Sequence, residues 1–464
     1  MAKRKNSCLL YMLVIAACVS ACADYLNVEP KDQYLQEKVF KQRETIEKAL
    51  QGIYQKLAAP QLYGNTLSLG AVDVMGQYYV CAADHQLSGF QQYNYTDSRV
   101  EATFSALWKE AYAAILNMNS FIEQLKPSTG VISEQEQKQY LGEVYGLRAM
   151  LHFDLLRLFG PVYAENANAS AIPYQTAPQP TVQPFKTART VAERLMADID
   201  TARAYLSEDP IRLGGADVQV YNRRFNYYAA LALDARASLY IGNKERALTR
   251  AKDLIAEAQR RFPWTPKTGE NEMVDIDPLF SSEIIFRLGQ PTLQQQYLNN
   301  FDPRLPTQAF LSPLRERLQE VFESNPNDIR YAWSWRFAPN QLGIIAPVFI
   351  KYELHAPDYV PLFRISESFL IAAECEPTSE SAFAYLDSLN VQRNAHPNEH
   401  QHIQLEKELL QTYRKEFWGE GQLFFYFKRK YLQQIPKGNT SGDIITMSAA
   451  QYVVPIPKDE LIQR

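Results

Sequence analysis

The sequence predicts a mostly α-helical chain in which successive helical hairpins build a curved scaffold, with an irregular, loop-rich segment and a few short strands packed on it. Three observations carry this. Apolar residues recur every three to four positions over long runs, the period of one buried helix face. Breaker pairs and capping boxes divide those runs. Glycine, at 19 of 464 residues, falls well below the usual ~7%, which argues against a loop-dominated chain. With 46% hydrophobic and 22% charged residues the composition is globular, and the length buries a large core without staples. A formal charge of −4 offers no basic field for nucleic acid.

Residues 1–21 read as a targeting segment. Lys3, Arg4 and Lys5 precede a short apolar run, Leu9 to Val19, too short to span a bilayer. Val19-Ser20-Ala21-Cys22 resembles a bacterial lipobox, in which the cysteine takes a diacylglycerol and becomes the new N-terminus; Ile15-Ala16-Ala17-Cys18 fits the same pattern. Cys22 is favoured because it leaves the longer apolar run and stands directly before a polar stretch. Two or three acyl chains make a firm anchor. Removal of residues 1–21 takes away three cations and no acid, moving the formal charge from −4 to −7. Cys81 and Cys375 then remain beside the acylated cysteine; a bridge between them is open, though Cys375 on an apolar face suits a buried free thiol. No later stretch offers 18 consecutive apolar residues.

A first amphipathic helix carries Phe104, Leu107, Trp108, Tyr112, Ile115 and Leu116 and ends near Lys126-Pro127. Ser133-x-x-Glu136 caps the next, through Tyr140, Val144, Leu147, Leu151, Leu155 and Leu158 to Gly160-Pro161. Thr190-x-x-Glu193 is read as the cap of a third, Asn226–Tyr240 as a fourth and Lys244–Arg261 as a fifth, the last two parted by Gly242-Asn243. Pairs of this size, rich in Ala and Tyr, resemble tetratricopeptide-type hairpins. From 262 to 350 prolines cluster and strand-like runs appear at Glu283–Leu288 and Ala346–Ile350. Helices resume at Phe363–Cys375, Ser381–Arg393 and Leu405–Trp418. The expected organisation is a signal peptide at 1–21 and a single domain at 22–464, with about 40–261 and 363–430 as helical scaffold and about 262–350 as the irregular, ligand-side segment.

Several motifs together resemble one family. Glu143-x-x-Gly146-Leu147-Arg148-Ala149 followed by Phe153-Asp154-Leu155-x-Arg157-Leu158-Phe159-Gly160 resembles a hallmark helix of the SusD/RagB lipoproteins, outer-membrane nutrient-binding proteins of Bacteroidetes-type bacteria. Arg364-x-x-Glu367-x-x-Leu370-x-x-Ala373-Glu374, Leu389-Asn390-x-x-Arg393-x-Ala395, and Glu420-Gly421 with Arg429 are similar to further hallmarks. Tyr452-Val453-Val454-Pro455-Ile456-Pro457-x-x-Glu460-Leu461 resembles the C-terminal signature, and Cys22-Ala23-Asp24-Tyr25-Leu26 the start. Departures from the family pattern are Leu423 and Tyr426 where Arg and Asp are common, His396 where Gly is usual, and a shortened Gly160-Pro161-Val162 loop. The resemblance implies a glycan-binding, non-enzymatic surface lipoprotein of the outer membrane. Such a protein delivers its ligand to a SusC-like TonB-dependent transporter barrel, and it carries no cofactor.

The charged motif residues lie on apolar helices, where charge is costly unless paired, so an inter-helix ion-pair network is expected. Catalytic patterns are absent: there is no phosphate loop, no G-x-S-x-G elbow and no H-E-x-x-H. Glu367 and Glu374 on one face read as ion-pair members ahead of an acid/base pair. His396, His400 and His402 read as a solvated loop, and Asp275 with Asp277 as very weak candidates for a surface calcium site. Binding has more support, because aromatic faces rimmed by polar groups suit sugars and peptides alike. Two loop-like clusters are the candidates. One holds Asp73, Tyr78, Tyr79 and Tyr93; the other holds Arg330, Trp333 and Trp335. Trp333, Trp335 and Phe337 also show the period of two that one buried strand face produces, and for them burial and ligand contact stay equally open. Trp264, between Pro263 and Pro266, is a weaker candidate; Trp108 and Trp418 on amphipathic helices read as core. Peptide binding and a ligand-free helical scaffold remain alternative functions.

Overall fold

The computed structural model describes residues 39–128, 130–215, 217–267, 276–395 and 404–462. The signal segment, Cys18, Cys22, Asp275 and the three histidines at 396, 400 and 402 lie outside the described residues.

Most of the described chain is helical. The main helices before the irregular region are α1 (Arg43–Leu57), α2 (Ser98–Leu125), α3 (Glu134–Phe159), α4 (Ala188–Tyr205), α5 (Tyr227–Tyr240) and α6 (Lys244–Ala258). Strands β1 (Ile284–Gly289), β2 (Trp335–Pro339), β3 (Ile345–Phe349) and β4 (Tyr359–Arg364) follow. Then come α7 (Ile365–Cys375), α8 (Ser379–Gln392), α9 (Leu405–Glu416), α10 (Leu423–Lys430), and the ribbon of β5 (Gln434–Pro436) and β6 (Ile444–Thr446).

Helix starts follow side-chain chemistry. Asp97 accepts from the Arg99 and Val100 N–H groups at the head of α2, and Ser133 forms the expected reciprocal box with Glu136. Asn226 and Asn243 cap α5 and α6, the latter after Gly242 turns the chain at φ +82°. The cap of α4 is Thr187, three residues before the expected Thr190, because the Thr187 hydroxyl accepts the Thr190 N–H. From α1 to α8 each helix packs on the next in sequence, the arrangement of a hairpin repeat.

Strands form three two-stranded antiparallel ribbons, β1 with β4, β2 with β3, and β5 with β6. The sequence reading places Phe363 and Arg364 in a helix, but they end β4, paired with Phe286 and Ile284. The irregular segment also holds short helices at Leu293–Phe301, Arg315–Val321 and Ile329–Ser334. Trp333 therefore sits on a helix while Trp335 and Phe337 sit on β2, so the three are not one strand face.

The charged motif residues form the expected inter-element network with partners that spacing alone does not reveal. Glu143 accepts from Tyr54 Oη (2.7 Å, on α1) and Arg224 Nε (2.9 Å). Arg148 grips Asp198 on α4 with two N–H groups and Asn119 on α2 with a third. Asp154 takes Tyr63 Oη and pairs with Arg157. Glu367 pairs with Arg236 and Glu374 with Arg429, so both carboxylates are held as ion-pair members. Burial pushes Glu374 up, but Arg429 and Lys430 outweigh it and hold its carboxyl at about 2. Cys81 and Cys375 are free, buried thiols. Among the described residues no helix is long and apolar enough to cross a membrane.

Candidate ligand surface

The structure brings most of the predicted site residues together, but as core. Around Trp418, on the turn after α9, Tyr78 stacks at 4.2 Å and 22° between ring planes, while Tyr79 and Trp335 meet it edge-on at 6.1 and 4.9 Å. Tyr78 Oη donates to the Arg414 carbonyl, so both its ring and its hydroxyl are consumed. Tyr79 Oη donates to Asp73 Oδ2 at 2.8 Å. Asp73 Oδ1 accepts the N–H groups of Gly419 and Gly421, each at 3.1 Å. Those glycines have φ of +78° and +67°, a left-handed turn that other residues strain to adopt. Burial pushes the Asp73 carboxyl up to about 7.

Tyr93 stacks on Phe424, and its hydroxyl donates to the Met75 carbonyl at 2.6 Å. Arg330 is bound to Asp328 (2.6 Å) and Glu416 (3.3 Å), and Trp333 stacks on Phe280. Asp73, Tyr78, Tyr79, Tyr93, Arg330, Trp333 and Trp335 are thus all buried, against the expectation that they line a ligand surface. The tyrosine hydroxyls and Asp73 bond to backbone and to each other, Arg330 bonds to carboxylates, and the rings are covered by other rings. They form a floor joining the early loop, the irregular segment and the turn after α9. Trp108 and Trp418 are core, as expected.

Above that floor the early loop and the irregular segment meet at the surface. Val80 bridges to Ser312, whose hydroxyl donates to the Pro347 carbonyl on β3 at 2.7 Å. His85 Nε2 lies 3.2 Å from the Ala309 carbonyl, and the Gln86 amide donates to Asn300 Oδ1. The β2–β3 hairpin rises from this junction. Trp335 and Phe349, paired at its base, are buried; further out Phe337, paired with Pro347, is 41% exposed, and Leu342, Ile344 and Ile345 are exposed at the tip. The Arg315 guanidinium lies 4.9 Å from the Phe337 ring centroid, and Arg336 pairs with Glu353 beside it. An exposed ring with a charged neighbour can stack an apolar ligand face and bond the ligand's rim. Sequence reasoning weighed Phe337 only with its buried neighbours; Arg315, far from it in the chain, gave no signal. Among the described residues no cluster of three or more His, Cys, Asp or Glu side chains could hold a metal ion. Asp277 uses its carboxylate on the Leu279 and Ser281 N–H groups.

Comparison with known proteins agrees with this architecture. A SusD-like family model described as "Starch-binding associating with outer membrane" matches residues 24–239. SusD-like protein P38 of Formosa agariphila is 25% identical over 262 residues, 56% of this chain, and the chain spans about half (47%) of that relative's length. A solved SusD-like carbohydrate-binding protein from Bacteroides vulgatus superimposes with a TM-score of 0.72 at 17% identity, over 91% of this chain and 96% of that one. A solved laminarin-binding SusD-like protein does so with a TM-score of 0.65 at 16% identity, over 91% and 97%. The chain is therefore similar to the SusD-like proteins, through a family model on residues 24–239 and through a shared fold along nearly all of its length.

Proposed function

We propose that the protein captures an oligomeric glycan at the cell surface and delivers it to a partner TonB-dependent outer-membrane transporter barrel, held to the membrane by acyl chains on Cys22. The observation that carries this is the match to a family described as starch-binding and outer-membrane-associated. A solved neighbour of the same fold is named for laminarin, and starch and laminarin are both neutral glucose polymers. Capture is non-covalent and needs no cofactor. The ligand face is the β2–β3 hairpin and the Arg315 edge, with Phe337 as the stacking ring and the buried aromatic floor fixing its position. Anchoring this protein and the barrel in one membrane raises their effective concentration, so handover does not depend on tight association in solution.

Calorimetric titration of the mature chain with starch and laminarin oligosaccharides, acidic glycans and peptide digests tests this reading. Saturable heat with a glycan is expected. Phe337→Ala should weaken it by about tenfold, the ~1.4 kcal/mol within the usual range for a lost stacking anchor. Heat with peptides alone would replace the substrate class, and silence with every ligand would favour a scaffold that binds only its barrel. Cys22→Ser is expected to move the protein from the membrane fraction to the soluble one.

A further inference from the structure

A second aromatic surface lies away from the hairpin and shares no residue with it. Between α6, the Pro263–Pro266 turn and α8 the structure opens a groove of about 680 Å³. Its floor is a row of three rings. Trp264 lies 4.9 Å from Phe369, and Phe369 lies 6.3 Å from Tyr385. Phe369 is buried, while Trp264 and Tyr385 are half-buried and line the groove. Trp264 is rigidly mounted. Prolines stand one residue before it and two after it, and the Arg393 guanidinium lies 5.3 Å from its ring centroid. Arg393 is itself fixed, fully buried between Glu283 at 2.6 Å and Glu416 at 2.8 Å.

The polar rim is Gln259, Ser388 and Gln392, with one carboxylate, Asp387. Among the described residues no lysine or arginine lines the groove and one carboxylate does, which disfavours an anionic glycan, since those are held through charge-assisted bonds. Flat rings under amide and hydroxyl groups that both donate and accept, with a carboxylate that accepts, match a pyranose, whose C–H face is apolar and whose edge is hydroxyl.

We infer that this groove is a second glycan-binding subsite, taking a neutral glucan by stacking on Trp264 and Tyr385 with Gln259, Ser388 and Gln392 bonding its hydroxyls. The inference rests on the reading of the protein as a glycan-capture lipoprotein. Two subsites on one anchored protein would hold a long chain by avidity, each weak contact keeping the other's ligand close.

Affinity electrophoresis of the mature protein through gels containing starch or laminarin tests it, with thermal melts to confirm folding. The double variant Trp264→Ala/Tyr385→Ala is expected to bind at least tenfold more weakly, with partial recovery when Trp264 is replaced by Phe. Ser388→Arg, an exposed substitution that fills the groove without touching the core, should weaken binding in the same direction and guards against misfolding of the double variant. Retardation of wild type with no change in either variant would overturn the subsite and leave glycan capture standing. Absence of retardation of wild type by both glucans would overturn the neutral-glucan assignment; binding to an acidic glycan or a peptide would then redefine the captured ligand. Variants that keep full retardation but no longer associate with the transporter barrel would overturn the proposal in favour of a partner contact.

Discussion

At Asp73 three donors meet one buried carboxylate: the Tyr79 hydroxyl and the N–H groups of Gly419 and Gly421. Those bonds favour the charged form, but burial outweighs them and the carboxyl rises to about 7 from an ordinary value near 4. The folded protein then holds this proton to higher pH than the unfolded chain does. Folding takes up a proton between about pH 4 and pH 7, so this group's contribution to stability falls as pH rises through that window. Asp73→Asn should flatten that part of a urea-denaturation profile taken from pH 4 to 8. Tyr78→Phe keeps the stack on Trp418 and removes only the bond to the Arg414 carbonyl, so a loss of about 1 kcal/mol is expected in the same assay, with glycan affinity unchanged. A ligand-contacting Tyr78 would instead shift the affinity. Burial of these residues was not legible from their own neighbourhood, because the rings that cover them come from far along the chain: Phe301 over Tyr79, Trp418 over Tyr78, Phe424 over Tyr93. A Tyr-Tyr pair in a glutamine-rich stretch looks like a binding loop until a segment more than two hundred residues away is laid on it.

Elements whose ends are fixed by local chemistry were the legible ones. Asp97, Ser133, Asn226 and Asn243 each cap the helix they precede; the last three stand where the sequence places those helix starts, and the start of α4 lies three residues before its expected cap. Strand β4 was missed because Pro361 interrupts it, which a two-stranded ribbon tolerates on its open edge. The hallmark helix α3 shows what a motif glycine does. A Cβ on Gly146 would stand 2.0 Å from the Phe225 ring, so the residue is needed for close approach and not for its φ. Gly146→Ala should destabilise by on the order of 1–3 kcal/mol through overpacking. Gly52, on α1, has nothing within 4 Å of its missing Cβ, so Gly52→Ala should instead stabilise by roughly 0.5–1 kcal/mol. Opposite signs for the same substitution in two helices, read in one thermal series, would separate packing from propensity.

Across the whole molecule, one buried charge cluster ties the irregular segment to the helical scaffold. Glu416, at the end of α9, receives Arg330 from the irregular segment, Arg364 from the end of β4 and Arg393 from beyond α8. Asp328 holds Arg330, Glu283 holds Arg393, and Glu420 holds Arg364 and Lys351. Four cations therefore face four carboxylates, all buried, and the cluster is neutral. The motif residues Arg364, Arg393 and Glu420 were visible in the sequence as charges needing partners. Glu416, which joins three of the cations, was not, since no spacing rule connects residues 330, 364, 393 and 416. Glu416→Gln leaves one positive charge uncompensated in the interior and should cost on the order of 3–5 kcal/mol. Burial raises the Glu416 carboxyl, but Arg393 and Arg364 outweigh that and hold it well below the ordinary carboxylate value of 4.5. Its stabilisation is complete above that value and is lost as pH falls through the lower folded-state value, so the wild type should weaken steadily below about pH 4.5. Glu416→Gln has lost that contribution at every pH, so its stability should fall less steeply with acid and converge on the wild type. Because the cluster also fixes Arg393 beneath Trp264 and Arg330 beside the aromatic floor, the same variant should weaken glycan binding at neutral pH even where it stays folded. Calorimetry at pH 7 beside denaturation from pH 3 to 7 would check both parts. A destabilised variant with undiminished affinity would show that the cluster supports the fold without positioning either glycan surface.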